Sequence, residues 1–250
     1  MSTVALETRG LCKSFGALTV AANIGFRLEA GARHALIGPN GAGKTTFVNM
    51  LTGRLPPSSG QILLGGEDVT RVAPEGRVKR GLGRTFQINT LFRELSVLDN
   101  VALGIAERRG IGGRMWRAAS RYRDVRDESM ALLASLGLDG DAGARVMDLP
   151  YGKQRLVEIL IALGLKPRVL LLDEPAAGVP SVESERILEV LERLPSDIAI
   201  LIIEHDMDLV FRFAKRITVL VQGEVLCEGT PQEIAADRRV HEVYLGEPHV

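Results

Sequence analysis

The chain has 250 residues, 46% of them apolar, and its 31 Lys and Arg are matched by 31 Asp and Glu, so no net charge favours nucleic acid. A chain this long buries roughly three quarters of its unfolded surface and needs no staples, and its two cysteines, Cys12 and Cys227, fit no metal or redox spacing and suit a reducing compartment. Met1 to Gly10 carries Glu7 and Arg9 without a long apolar run, which speaks against a signal peptide, and the most apolar runs, such as Ile198 to Ile203, are of strand length, far below the roughly 20 residues of a membrane span. A soluble chain is expected, able to dock on a membrane protein.

Val4, Leu6 and Thr8 alternate with polar neighbours and predict a strand. Lys13-Ser14-Phe15-Gly16 reads as a turn, and Ile24, Phe26 and Leu28 as a second strand closed at Gly31. Phe15 is either an edge aromatic or a face on which a nucleotide base stacks. Ala35-Leu36-Ile37 reads as a short buried strand. Gly38-Pro39-Asn40-Gly41-Ala42-Gly43-Lys44-Thr45-Thr46 follows and fits the phosphate-binding pattern G-x-x-x-x-G-K-[ST] at every fixed position. Phe47, Val48, Met50 and Leu51 then recur at helical spacing up to a stop at Gly53. Strand, Gly-rich loop and helix is the context this chemistry needs: backbone N–H groups curl round an anion and a helix start adds unpaired donors. Lys44 is expected to reach the β- and γ-phosphates, and the Thr45 hydroxyl to hold Mg²⁺.

Pro56-Pro57-Ser58-Ser59-Gly60 is a break, Gln61 to Leu64 a strand, Gly65-Gly66 a turn, and Leu82 to Phe86 a further strand ending in Gln87. From Ser96 to about Leu165 the pattern is mainly helical, interrupted at Gly110 to Gly113, and Leu132, Leu133 and Leu136 form an apolar face closed by Gly137. This block reads as a helical insertion in an α/β core. Inside it Arg108, Arg109, Arg114, Arg117, Arg121, Arg123 and Arg126 surround Trp116, either as a docking surface or as a solvated face balanced by Glu107, Asp124 and Asp127. Val169 to Leu172 is an unalternating apolar run, hence a strand buried on both faces, ending in Asp173-Glu174-Pro175. Carboxylates at that end of a strand sit where open α/β sheets bind ligands. Asp173 can hold Mg²⁺, and Glu174 can polarise or deprotonate an attacking water. A helix is expected over 181–194, another buried strand over 198–203 ending in Glu204-His205-Asp206, a hairpin about Gly223, and short helices over 231–236 and 238–245. His205, after a further core strand, is placed to touch a γ-phosphate.

Over nearly its whole length the chain resembles the ATP-binding subunits of ABC transporters. The resemblance implies a P-loop NTPase (RecA-like) core with an antiparallel β part, over 1–95 and 166–250, and a helical subdomain over 96–165. It assigns Phe15 to adenine, 38–46 to Walker A, Gln87 to the glutamine that senses Mg²⁺ and the permease, Asp173 and Glu174 to Walker B and its catalytic acid, and His205 to the switch histidine. The family signature L-S-G-G-Q is here Leu149-Pro150-Tyr151-Gly152-Lys153, with only Gly152, at the start of an expected helix Lys153 to Leu163, left to face phosphate on the opposite subunit. The D-loop is Ala177-Gly178-Val179-Pro180, without its aspartate. Tyr151-Gly152, the run Asp173 to Gly178, the Arg-rich insertion and the ending Tyr244-Leu245-Gly246-Glu247 resemble the ATPases of branched-chain amino acid importers, with urea importers, lipopolysaccharide exporters and non-transport ABC ATPases as alternatives. The resemblance implies ATP and Mg²⁺ as cofactors and two transmembrane permease subunits as partners. It further implies an indirectly coupled substrate-binding protein, no nucleic acid, and a peripheral location on the cytoplasmic face of the membrane, while the departures at Pro150 and Pro180 lead to the expectation of a second, different ATPase subunit.

Overall fold

The computed structural model describes residues 3–85, 91–111 and 122–244, with 181 and 182 as backbone only. Two compact units form, one from 1–82, 168–174 and 195–250, the other from 83–167 and 175–194.

In the first unit, β1 (Val4–Phe15) and β2 (Leu18–Glu29) make an antiparallel hairpin. The expected turn at Lys13 is tighter than its polar composition suggests: Lys13, Ser14 and Phe15 stay in the ladder, and only Gly16 and Ala17 turn. Ser14 stays there because its amide bonds Ser58 Oγ at 3.1 Å and its hydroxyl meets Thr19 Oγ1 at 3.1 Å. With β4 (Ser59–Leu64) and β5 (Glu67–Asp68) the sheet order is β2-β1-β4-β5. The second sheet runs β10 (Glu224–Gly229), β9 (Arg216–Val221), β3 (Arg33–Ile37), β8 (Ala199–Ile203), β7 (Val169–Asp173) and β6 (Leu82–Arg84). Here β3 is parallel to both β8 and β9, and β7 to β8, while β10 pairs antiparallel with β9. Every residue of β7 and β8 is buried, which is why these strands show no alternation in sequence. α1 (Lys44–Leu51) buries Phe47, Val48, Met50 and Leu51 in a core shared with Leu6, Ile24 and Phe26 of the antiparallel sheet and Leu36, Leu171, Leu201 and Ile203 of the parallel one. The helix ends at Gly53, whose φ of 78° is the left-handed stop expected there.

A charged residue lies beneath that helix. Arg77, in α2 (Pro74–Lys79), is 1% exposed. Its Nη1 donates to the carbonyls of Met50 and Leu51, both at 2.7 Å, its Nε to Val72 at 2.9 Å, and its Nη2 to Thr70 at 3.0 Å. Burial pulls its pKa down and Asp68 opposes that pull. A guanidinium is never neutral in a protein, so the last turn of α1 gains a cation where the helix dipole favours one. Replacing Arg77 by Met would take that donor from the Leu51, Thr70 and Val72 carbonyls, while Met50 O keeps the Gly53 N–H at 3.1 Å. A loss on the order of 3 kcal/mol is expected, read as a lower urea midpoint; an unchanged midpoint would mean that the carbonyls find other donors.

In the second unit, α3 (Val97–Arg108) is capped by Ser96, whose Oγ accepts the Asp99 N–H at 3.0 Å. It packs with α4 (Arg123–Ser135) and α5 (Tyr151–Gly164). Glu128 of α4 binds Arg108 at 2.7 Å, Arg109 at 2.7 Å and Lys166 at 3.2 Å. These cations, Arg108 first, hold its carboxyl down at about 2. Two arginines of the basic run are thus engaged with acids, Arg109 with Asp124 as well, whereas Arg123 and Arg126 are exposed. Arg114, Trp116, Arg117 and Arg121 lie outside the described residues. This unit is wider than the expected 96–165 block, since it also takes in α6 (Ser181–Glu192), which packs on α5.

Candidate active site

β3 delivers the chain to Gly38 between β9 and β8. A Cβ on Gly38 would lie 2.1 Å from the Leu220 carbonyl oxygen of β9, so only glycine fits where the loop leaves the sheet. The loop is tied again at Ala42, whose carbonyl accepts the Gly223 N–H at 2.9 Å from the β9–β10 turn. Gly43 caps α1 in the left-handed conformation, φ 100°, with the Val20 carbonyl 2.7 Å from where a Cβ would stand. No acidic residue occupies the first turn of α1, and N–H groups there have no intrahelical acceptor. The loop therefore presents an open positive end to an anion. Asn40, Gly41 and Thr45 are exposed, Pro39 and Thr46 half-buried, Ala42 buried. Lys44 arcs back along the loop, donating from Nζ to Gly38 O at 2.5 Å and to Pro39 O at 3.1 Å. Burial lowers its pKa, while Glu174 and Asp173 pull it up, which places a cation and two acids within one electrostatic field.

Those acids stand at the end of β7. Asp173 is buried and closes the strand. Glu174 follows at φ 47°, left-handed backbone that a non-glycine residue adopts at a cost, and its N–H bonds Ile203 O at 2.9 Å. On the neighbouring strand, β8 runs into buried Glu204 and exposed His205. His205 Nδ1 lies 3.9 Å from Glu174 Oε1 and 3.8 Å from Glu204 Oε2, beside both carboxylates but too far for a hydrogen bond. Asp206 serves the fold, since its Oδ1 accepts from Asp208 N and Leu209 N to cap α7 (Met207–Phe213). The structure thus gathers the loop, Asp173, Glu174 and His205 at the C-terminal ends of β3, β7 and β8. The donor set suits a hard divalent cation, a threonine hydroxyl and a carboxylate being oxygen ligands of the kind Mg²⁺ takes alongside phosphate.

Phe15 ends β1, the residue 52% exposed and the Lys13 ammonium 5.0 Å from its ring centroid. An exposed aromatic with a cation above it is a surface on which a base can stack. Phe15→Ala is expected to weaken ATP and GTP alike, because every base has a π-face. A loss for ATP with none for GTP, in competition binding, would speak against stacking. Gln87 lies outside the described residues.

The profile of the ABC transporter family matches residues 21–177, a stretch that holds the phosphate-binding loop, Asp173 and Glu174. The chain belongs to the ABC transporter family. A second profile, that of the branched-chain amino acid ATP-binding cassette transporters, matches residues 224–250 of this cassette. The cassette is 35% identical to the high-affinity branched-chain amino acid transport ATP-binding protein BraF of Pseudomonas aeruginosa, over 99% of this chain and 100% of that one. It is 36% identical to LivG of Escherichia coli K12, which carries the same description, again over 99% and 100%. Among solved structures, the ADP conformation of the ABC transporter cassette MJ1267 superposes with a TM-score of 0.87 at 29% identity, over 98% of this chain and 99% of that one.

The cassette's signature stretch belongs to the second unit. α5 starts at Tyr151, ahead of the expected Lys153, with Pro150 at its N-cap, a place where the missing N–H costs nothing. Gly152 therefore lies inside the first turn, and its N–H donates to Glu183 Oε2 at 2.9 Å. Pro180 stands in the same way before α6. Lys153 pairs with Asp141 at 2.7 Å, and the Arg155 guanidinium lies 5.1 Å from the Tyr151 ring. Three parts of the cassette's site surroundings have no local signal: Arg77, the Gly223 clamp, and Tyr244, whose hydroxyl meets Gly38 from α9 (Arg238–Tyr244), the helix after α8 (Pro231–Ala236). Only the ending around Tyr244 carries a family pattern, and it names no partner for the hydroxyl.

Proposed function

We propose that this cassette binds ATP with Mg²⁺ and hydrolyses it to power a branched-chain amino acid importer. The observation that carries this reading is the convergence of Lys44, Asp173, Glu174 and His205 on the open end of α1. In this reading the N–H groups of 38–46 and the Lys44 ammonium bind the phosphates, and Phe15 stacks on the adenine. Thr45 and Asp173 hold Mg²⁺, with Gln87 beside it; the ion neutralises charge on the phosphate oxygens when bound. Glu174 orients and deprotonates the attacking water, and His205, 3.9 Å from it, contacts the γ-phosphate.

The partners are two permease subunits and, through them, a substrate-binding protein, with the cassette peripheral on the cytoplasmic face. No helix among the described residues is long and apolar enough to cross a membrane, so the path for the substrate belongs to the permeases. Pro150 supplies neither the hydroxyl nor the N–H of a signature serine, and the Ala177 to Pro180 stretch lacks an aspartate. These two departures support a second, different ATPase subunit as the facing partner; Gly152 is the one signature glycine left, and its N–H reaches a facing nucleotide only once Glu183 Oε2, which holds it at 2.9 Å, lets go. The relatives' transport of branched-chain amino acids, and the match over 224–250, support the substrate class.

The test is purification of the tagged full chain from membranes, with identification of what accompanies it and assay of ATP turnover. Two permeases, a second ATPase and turnover abolished by a chelator are expected. Recovery without any membrane protein would overturn the transport reading, and full transport with two copies of this chain and no second ATPase would overturn the mixed pair.

A further inference from the structure

The last described residue of α9 reaches the first residue of the phosphate-binding loop, 206 positions earlier. Tyr244 Oη lies 3.1 Å from Gly38 N, which donates to it, and 3.2 Å from Gly38 O, to which it donates. One hydroxyl thus serves both polar groups of a buried peptide residue, as a phenol can. Burial raises the Tyr244 pKa, with Glu204 adding to the rise against the Gly38 contact, which keeps the proton on the oxygen for that bond. The same Gly38 carbonyl also accepts from Lys44 Nζ at 2.5 Å. It therefore accepts from two donors.

We propose that Tyr244 is a positioning residue of the nucleotide site, whose hydroxyl fixes the Gly38 peptide and keeps its carbonyl bonded when Lys44 turns from the loop to the phosphates. The inference rests on the phosphate-loop reading of 38–46. A buried carbonyl that loses its last donor is costly. Without the phenol, moving Lys44 would leave Gly38 O in that position, because the Leu220 carbonyl packed against Gly38 has no proton to offer. With the phenol, the lysine exchanges one acceptor for another at little cost. The effect of Tyr244 on ATP thus passes through Lys44, which separates positioning from simple stabilisation of the fold.

The test is a double-mutant cycle on the full chain, with ATP affinity measured by calorimetry or by displacement of a fluorescent ATP analogue. Tyr244→Phe keeps the ring and removes only the hydroxyl. In the parent background it is expected to weaken ATP about 2- to 10-fold, the worth of one neutral hydrogen bond. In the Lys44→Ala background it is expected to change affinity by less than about 2-fold. Equal losses in both backgrounds, or no loss in the parent, would overturn the inference. Should the Phe variant melt lower than the parent, Tyr244→Trp, which offers a donor but no acceptor, joins the cycle under the same criterion of coupling to Lys44. A parent chain that failed to bind ATP would overturn the phosphate-loop reading itself and take the inference with it.

Discussion

Glu174→Gln is expected to leave ATP bound and to slow its hydrolysis by about 10²- to 10⁴-fold, the usual contribution of a positioned general base. Glutamine is nearly isosteric. The backbone bond from residue 174 to Ile203 O does not involve the side chain, so the left-handed turn after β7 and the placement of Asp173 should survive. What is lost is the ability to accept the water's proton and, with it, the charge that faces His205 at 3.9 Å. The measurement is turnover in the assembled transporter beside nucleotide occupancy of the same sample. Turnover at the parent rate would remove Glu174 from the catalytic role and make His205 the next residue to test.

Lys44→Ala is expected to cost roughly 10- to 150-fold in ATP affinity, the range of one charge-assisted contact of about 1.5–3 kcal/mol. The ammonium bonds two loop carbonyls, those of Gly38 and Pro39. The acids at the end of β7 add to the effect, because removing Lys44 leaves Asp173 and Glu174 facing an incoming polyphosphate without its charge to offset theirs. Calorimetry on the full chain decides it, and unchanged affinity would mean that the phosphates sit elsewhere.

The parts of the site that can be read from sequence are those in which adjacent residues act together. The loop's fixed glycines, the unbroken apolar run before Asp173 and the helical spacing after Thr46 each place their residue by local rules, and α1, β7 and β8 stand where those rules put them. The turn expected over 13–16 shrinks to Gly16 and Ala17 because Ser14 finds partners in Thr19 and Ser58. The expected start of α5 falls two residues late because Pro150 reads as a damaged signature before it reads as a residue suited to precede a helix. Arg77 is one of 31 basic residues, and nothing beside it in the chain foretells burial under α1. Its acceptors belong to segments that meet only in three dimensions, as do Tyr244 and Gly38.

Arg77 also joins segments that would otherwise open separately. Its four acceptors lie on two stretches, Met50 and Leu51 at the end of α1, Thr70 and Val72 ahead of α2. Neither stretch can peel from the protein without breaking a bond that the other shares. Amide protons of both, including those of Thr52, Gly53 and Val72, should therefore exchange with solvent through a common opening of one free energy. The helix that begins at Lys44 and the connection that follows the antiparallel sheet would then behave as one cooperative unit, and slow exchange at Gly53 would report on the integrity of a segment some twenty residues further along the chain.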